Sequence, residues 1–455
     1  MKNWKKVLAL VLATGMTLSL AACNGGGSTA STAPSDTGSG EGGGSTSGNV
    51  SIELWTYPIG QFGDQETLDG IIAAFKEVHP EIDVTIQLLD YTNGDTQVTS
   101  AITAGTTPDI IMEGPERLVS NYGANGLMVD LSDLWTEEAT ADISAVSEAV
   151  VNACKGSDGV YYEYPLCMTT HCMAINYEVF EAAGALQYID EETRTWTTDD
   201  FVAAMEAVRD AAAAGTVNVM FPGIIYCGGQ GGDQGTRALV NNLYSGTYTN
   251  AEHTEYTANS PENVEALTLL KSMVDNGSLT ADSSFQAADE LQQFANGTAA
   301  VTFCWNASNQ SQYAEQVQFT PFAMAFPSDD GVPELCGGIY GFGIFDHGDE
   351  AKIEAAKEFI RFVCDDAEQG PESVRLSGFF PVRDSFGNVY EGTENEARMS
   401  EFQVMMPYLG DYYNVIGGWT EQRTNWYNML QQIFVSGADI QTAADEFVTA
   451  SNANI

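Results

Sequence analysis

Thr103-Ala104-Gly105-Thr106-Thr107-Pro108-Asp109-Ile110-Ile111-Met112-Glu113 reads as the end of a helix followed by a short buried strand over residues 109–112. Gly105 and Pro108 end the helix, because glycine accepts the left-handed C-terminal conformation and proline cannot continue a helix. Upstream, Val50, Ile52 and Leu54 alternate with polar residues, which predicts a strand ending at Trp55. Leu68, Ile71, Ile72, Phe75 and Val78 share one face of a predicted helix over 65–78, stopped by His79-Pro80. Val84, Ile86 and Leu88 alternate again as a second strand. The order is β-α-β, which implies a parallel sheet with a right-handed crossover. Downstream, Ser260-Pro261 carries the N-cap and first-turn signature of a helix that turns Val264, Leu267 and Leu270 inward. Residues 299–305 and 341–345 read as apolar strands, and 351–363 as an amphipathic helix with Ile353, Ala356, Ile360 and Val363 on one face. Two helices, 426–434 and 440–448, split at Ser436-Gly437, close the chain. No internal repeat is visible, and the pattern is α/β with more than one sheet.

The chain has 455 residues, 17 Lys+Arg and 63 Asp+Glu, for a formal net charge of −46. Such acidity repels phosphates, so a basic nucleic-acid groove is excluded and no nucleic-acid partner is expected. With 44 % hydrophobic residues the chain can bury a real core. The four histidines, at 79, 171, 253 and 347, are scattered, and no CxxC pair exists, so neither a metal site nor a cofactor is expected. His171 is read as a group that satisfies local hydrogen bonds. No GxSxG, HExxH or EF-hand loop is present.

Residues 1–22 read as an export signal: Lys2, Lys5 and Lys6 precede an apolar run over 7–20, too short for a membrane span. Leu20-Ala21-Ala22-Cys23 resembles a bacterial lipobox, which makes Cys23 the expected lipidation site. A diacylglyceryl anchor carries more than one acyl chain, as stable anchoring requires. Removal of the three lysines takes the charge to −49. Residues 24–49 hold Gly, Ser or Thr at 19 of 26 positions, the composition of a flexible tether of roughly 30 Å root-mean-square span. The seven remaining cysteines, mostly inside apolar stretches such as Val301-Thr302-Phe303-Cys304-Trp305, read as small buried hydrophobes.

Several segments, in order, resemble the extracellular solute-binding proteins of ABC importers, in the carbohydrate-binding class that includes maltose-binding protein. They are Ile52-Glu53-Leu54-Trp55; the Ala-Gly-x-x-Pro-Asp run at 104–109; Gly126-Leu127-Met128-Val129-Asp130-Leu131; the stretch 161–184, with Asn176-Tyr177 in place of the usual Tyr-Asn; Thr195-Trp196-Thr197; 294–305; and Gly341-Phe342-Gly343-Ile344 with the helix after it. The resemblance implies a two-lobed, type II clamshell, periplasmic-binding-protein-like, each lobe a mixed sheet flanked by helices. One lobe would hold 50–112 and 337–376, the other 113–336 and 377–455. It further implies a non-catalytic monomer, lipid-anchored on the extracellular face of the cell membrane, that captures an oligosaccharide, neutral given the few basic residues, and passes it to permease subunits. A surface adhesin or sensor, a binder of a polyol, and a two-carboxylate glycosidase are the competing readings.

Sugars offer C–H faces to aromatic rings and hydroxyls to polar forks. Trp305 matches a position where the family places a stacking tryptophan. Trp55 and Tyr57 lie at a strand's C-terminal end, where α/β proteins bind ligands, and Glu113 lies at a predicted crossing between lobes. Tyr226 and Asp233 flank, and Gln230 interrupts, the Gly-rich run Gly228-Gly229-Gln230-Gly231-Gly232, whose spacing fails as a phosphate loop. Tyr340, Trp419 and Arg423 complete the expected ligand set, while Trp426, on the face of Met429, Leu430 and Ile433, is expected in the core.

Overall fold

Val50–Thr56 (β1), Ile82–Leu88 (β2) and Ile110–Glu113 (β3) form where the apolar alternation predicts strands. The structure, a computed structural model, describes residues 49–91, 93–229, 232–410 and 416–455; Cys23, the tether up to residue 48 and Gln230 lie outside them. β1 pairs in parallel with both β2 and β3, as the β-α-β reading requires. The helix Gln65–Val78 between β1 and β2 buries Leu68, Ile71 and Phe75 and is capped by Asp64, whose carboxylate accepts from Thr67 N at 3.0 Å. The helix Gly94–Ala104 ends at Gly105 with φ of 66°, the left-handed cap expected there.

The remaining strands are β4 (Tyr164–Thr170), β5 (Cys172–Asn176), β6 (Ile224–Tyr226), β7 (Thr280–Asp282), β8 (Val301–Trp305), β9 (Pro321–Met324), β10 (Gly337–Ile344) and β11 (Phe380–Pro381). The large sheet is ordered β11-β4-β10-β3-β1-β2, with β10 antiparallel to β3 and β4. A second, antiparallel sheet is ordered β8-β5-β9, and β6 and β7 form a parallel pair. β4 and β11, which the sequence-based division assigns to the second lobe, pair within the large sheet. His171 is the single residue between β4 and β5, so the chain passes there from one sheet to the other. Its backbone N–H donates to Cys336 O at 2.9 Å, next to the start of β10.

The first of the two closing helices, Trp419–Leu430, starts seven residues before the predicted start. Thr420 to Asn425 are all polar or charged, so only the part beginning at Trp426 carries apolar periodicity. Trp426 is fully buried as expected, and its indole N–H donates to Thr236 Oγ1 at 2.9 Å. The cysteines at 154, 167, 172, 227, 304, 336 and 364 are all free thiols, buried except for the half-buried Cys304. Among the described residues no helix is long and apolar enough to cross a membrane, and no group of three or more His, Cys, Asp or Glu could hold a metal.

Gly235, in the helix Asp233–Leu243, lets that helix approach β8: a Cβ there would lie 1.9 Å from the Phe303 carbonyl oxygen. Since both sides of this contact are backbone, Gly235→Ala is expected to destabilise the protein by about 1–3 kcal/mol, as overpacking does. Chemical denaturation of the two proteins checks it, and equal midpoints would refute it.

Candidate functional site

β3 delivers Glu113, and Gly114-Pro115 turns the chain so that Glu116 and Arg117 follow within one turn. The Arg117 side chain is almost fully buried. Its Nε donates to Asp95 Oδ1 at 2.7 Å and an Nη to Asp95 Oδ2 at 3.2 Å, a two-pronged fork. Its other Nη lies 3.3 Å from Glu113 and 3.6 Å from Glu116. Asp95 comes from the first turn of the helix Gly94–Ala104 and also accepts from the Tyr57 hydroxyl at 2.7 Å. Tyr57 follows β1 directly and stacks on Tyr91, ring centroids 5.1 Å apart.

The Arg117 guanidinium meets three rings, its Cζ 4.8 Å from the centroid of Tyr57, 5.9 Å from Tyr91 and 4.7 Å from Trp419. Arg423, one turn along the helix Trp419–Leu430, lies over Trp419 at 4.3 Å. Arg423 Nε donates to Asp233 Oδ1 at 3.0 Å, and Asp233 Oδ2 pairs with Arg237 at 2.8 Å. A continuous chain thus runs Asp233–Arg423–Trp419–Arg117, ending on Asp95, Glu113 and Tyr57. Cationic stacks of this kind contribute about 0.5–2 kcal/mol each. The buried indole N–H groups of Trp419 and Trp55 have no acceptor among the described residues.

Electrostatics sharpen this centre. Burial pushes the Glu113 carboxyl above its ordinary range, Arg117 opposes that, and Glu116 adds to it. Glu163, fully buried next to β4, is pushed well above the ordinary carboxyl range by burial and then by the charges of Glu116 and Glu113. For Asp95, burial acts upward but the hydrogen bonds and charge of Arg117 prevail, and the carboxylate is held below its usual range. Burial and then the Arg237 charge lower His171 to about 4, so it is a neutral imidazole at pH 7.

Of the residues expected from sequence, Tyr57, Glu113, Asp233, Trp419 and Arg423 come together in this chain. Tyr340, on β10, stacks on Phe379 at 5.4 Å and is electrostatically coupled to Glu113 and Glu116. Trp55 is opposite Ile111 of β3 in the sheet. Tyr226 is fully buried, and its hydroxyl donates to Gly232 O at 2.6 Å, tying the end of β6 to the residue before the helix Asp233–Leu243. Trp305 is fully buried at the end of β8, edge-on to Phe294 at 5.3 Å and stacked on Tyr313 at 6.3 Å, with its N–H directed to Gln310 at 3.3 Å. Sequence reasoning missed Tyr91, Asp95, Glu116, Arg117, Glu163 and Arg237. The scarcity of cations was the available signal: a lone arginine four residues beyond a strand-end glutamate has few reasons to be there except to pair.

Near Trp305, Glu290 is fully buried and accepts from Thr302 Oγ1 at 2.7 Å and Phe303 N at 2.9 Å. Burial raises its carboxyl to about 8 against the pull of those two donors. The folded protein therefore holds this proton more tightly than the unfolded chain. Its contribution to stability is complete below pH ~4.5 and is lost as pH rises towards ~8, at about 1.4 kcal/mol per unit within that window. Glu290→Gln, which keeps an acceptor for Phe303 N, is expected to flatten this slope and to be the more stable protein at pH 8. Thermal melts from pH 5 to pH 8 read the effect; identical slopes would refute it.

Solved solute-binding proteins share this fold. An ABC substrate-binding protein from Listeria monocytogenes, in complex with cycloalternan, is 20 % identical with a TM-score of 0.68 over 89 % of this chain and 98 % of its own. The cyclic alpha-maltosyl-1,6-maltose binding protein of Arthrobacter globiformis is 18 % identical with a TM-score of 0.68 over 89 % and 99 %. A solute-binding protein from Agrobacterium radiobacter K84, in complex with ribitol, is 19 % identical with a TM-score of 0.66 over 89 % and 99 %. The fold is therefore the mixed α/β architecture of periplasmic-type solute-binding proteins. Residues 70–399 match the family model for the bacterial extracellular solute-binding proteins, and the chain belongs to that family. No curated protein matches the chain by sequence.

Proposed function

We propose that this protein is the lipid-anchored, non-catalytic binding component of an ABC importer, and that it captures a neutral oligosaccharide between two lobes for delivery to the permease. One lobe is built on the large sheet, the other on β8-β5-β9 and the helices around it. Crossings at His171, ahead of β10 and after β11 would form the hinge. Cys23 is the anchor site. The observation that carries the reading is Trp419 in its stack between Arg117 and Arg423, with the forks of Asp95, Glu113 and Asp233 beside it. Rings that accept a sugar face and acceptors that take its hydroxyls are concentrated there. Cycloalternan in the Listeria structure and the cyclic sugar for which the Arthrobacter binding protein is named support the ligand class. Ribitol in the Agrobacterium structure keeps a polyol as the second reading.

Thermal shift against a panel of neutral oligosaccharides and polyols tests this. A ligand at one hundred times its Kd stabilises by about 2.7 kcal/mol, a readable rise. No shift with any neutral oligosaccharide would overturn the ligand class, and release of cleaved products would overturn the non-catalytic reading. Cys23→Ala is expected to move the protein from the membrane fraction to the medium.

A further inference from the structure

The helix Asp233–Leu243, the loop after it and residues 328–334 enclose a cavity of about 380 Å³. Small-molecule sites fall at about 300–1,000 Å³. It shares no lining residue with the Trp419–Arg117 chain. Asn241 lines it at 8 % exposure, and its Oδ1 has no hydrogen-bond partner among the described residues. A buried amide oxygen left in that state is unfavourable, and a ligand donor would relieve it. The neighbouring Asn242 shows the contrast. Its Nδ2 donates to Glu334 O at 2.7 Å and its Oδ1 accepts from Glu334 N at 2.7 Å, so it holds the wall in place.

The chemistry of the lining restricts the occupant. None of the described residues that line the cavity is Lys or Arg, which disfavours an anion. Asp330 is already engaged, accepting from Val332 N at 2.8 Å and from the Ser328 hydroxyl, and those bonds hold its carboxylate below the usual range. The lining also holds Glu334 and His253, whose Nδ1 lies 3.0 Å from Thr249 Oγ1, and the remaining polar lining is hydroxyls, amides and backbone, with Ser245, Thr247 and Asn250 among them. Hydroxyls on a ligand, which both donate and accept, match such a lining better than an ammonium does.

We propose that this cavity is a second binding site, separate from the Trp419 centre, for a small neutral polyhydroxylated solute of polyol or monosaccharide size. Calorimetry on the full chain carrying Trp419→Ala tests it, with ribitol, glucose and the cationic probe putrescine as ligands. Ribitol or glucose is expected to bind this variant. Adding Val332→Trp, at an exposed position on the cavity wall, is expected to weaken that binding about ten-fold, and Asn241→Ala to weaken it by a similar factor. Should Val332→Trp fail to fold, Asn241→Ala carries the comparison. Absence of ribitol and glucose binding, binding indifferent to the cavity variants, or binding of putrescine alone would each overturn the proposal. Failure of the oligosaccharide reading is distinguishable, since it would appear in the wild-type protein as no thermal shift with any neutral oligosaccharide, whatever ribitol and glucose do in the Trp419→Ala variant.

Discussion

Trp419→Ala is expected to lower oligosaccharide affinity by about 2 kcal/mol or more, roughly thirty-fold, the scale at which buried aromatic anchors act. The reason is geometric. Trp419 is 7 % exposed, yet both of its neighbours in the stack are cations, Arg117 at 4.7 Å and Arg423 at 4.3 Å from the ring centroid. Arg117 is held in place by its buried ion pairs, so the Arg423 guanidinium is the partner that a sugar C–H face would displace from the ring. The indole N–H, buried without an acceptor among the described residues, then gains one in a sugar hydroxyl. Truncation to alanine removes the platform and that donor together, and it leaves two arginines without their common ring. Trp419→Phe keeps the platform and loses the donor, so its affinity is expected to fall between the other two. Calorimetry with the oligosaccharide that gives the largest thermal shift decides it. Binding by Trp419→Ala within about three-fold of wild type would remove Trp419 from the ligand contacts.

The elements that build the two sheets were legible wherever a regular apolar period met a stop signal. β1, the helix Gln65–Val78, β2 and β3 all lie where Ile52, Leu54, Phe75, Val84, Pro80 and Gly105 put them. The large sheet's membership was not legible, because strand pairing is a long-range property. β4 is fully buried along its length, its two threonines included, and a strand buried on both faces has no solvent face to reveal which sheet it joins. Trp305 shows the corresponding limit for the site. A tryptophan closing an apolar strand reads the same from sequence whether its ring faces a ligand or packs, as here, against Phe294 and Tyr313. Trp419 and Arg423 were legible as candidates but not as neighbours one helical turn apart, because the predicted helix began only at Trp426. What they stack on was not, since Arg117 reaches them from three hundred residues away in sequence.

Arg117 supplies the second large effect, on the folded state itself. Its guanidinium faces Asp95, Glu113 and Glu116, and Glu163 is coupled to the last two. Removal of one partner from a buried ion pair costs about 3–5 kcal/mol, because the remaining charge is stranded. Arg117→Met, which keeps the apolar stem, is therefore expected to destabilise the ligand-free protein by that amount at pH 8. The penalty has a defined pH dependence. Burial already pushes Glu113 up, and loss of the arginine removes the charge that opposes this. In the variant its carboxyl binds a proton in the folded state that the unfolded chain has released. A carboxyl raised in this way is fully tolerated below its unfolded pKa and becomes destabilising as pH rises through the folded value. The gap between variant and wild type should accordingly be smallest near pH 5 and widen towards pH 8. Arg117→Lys restores a charge without the planar fork on Asp95 or the ring stacking, and should recover part of the loss. Arg117→Met with Glu113→Gln should recover part of it by the opposite route, leaving no charge at position 113. Denaturation midpoints at pH 5 and pH 8 separate these outcomes. A variant as stable as wild type at pH 8 would mean that water reaches the carboxylates and that the cluster opens in solution.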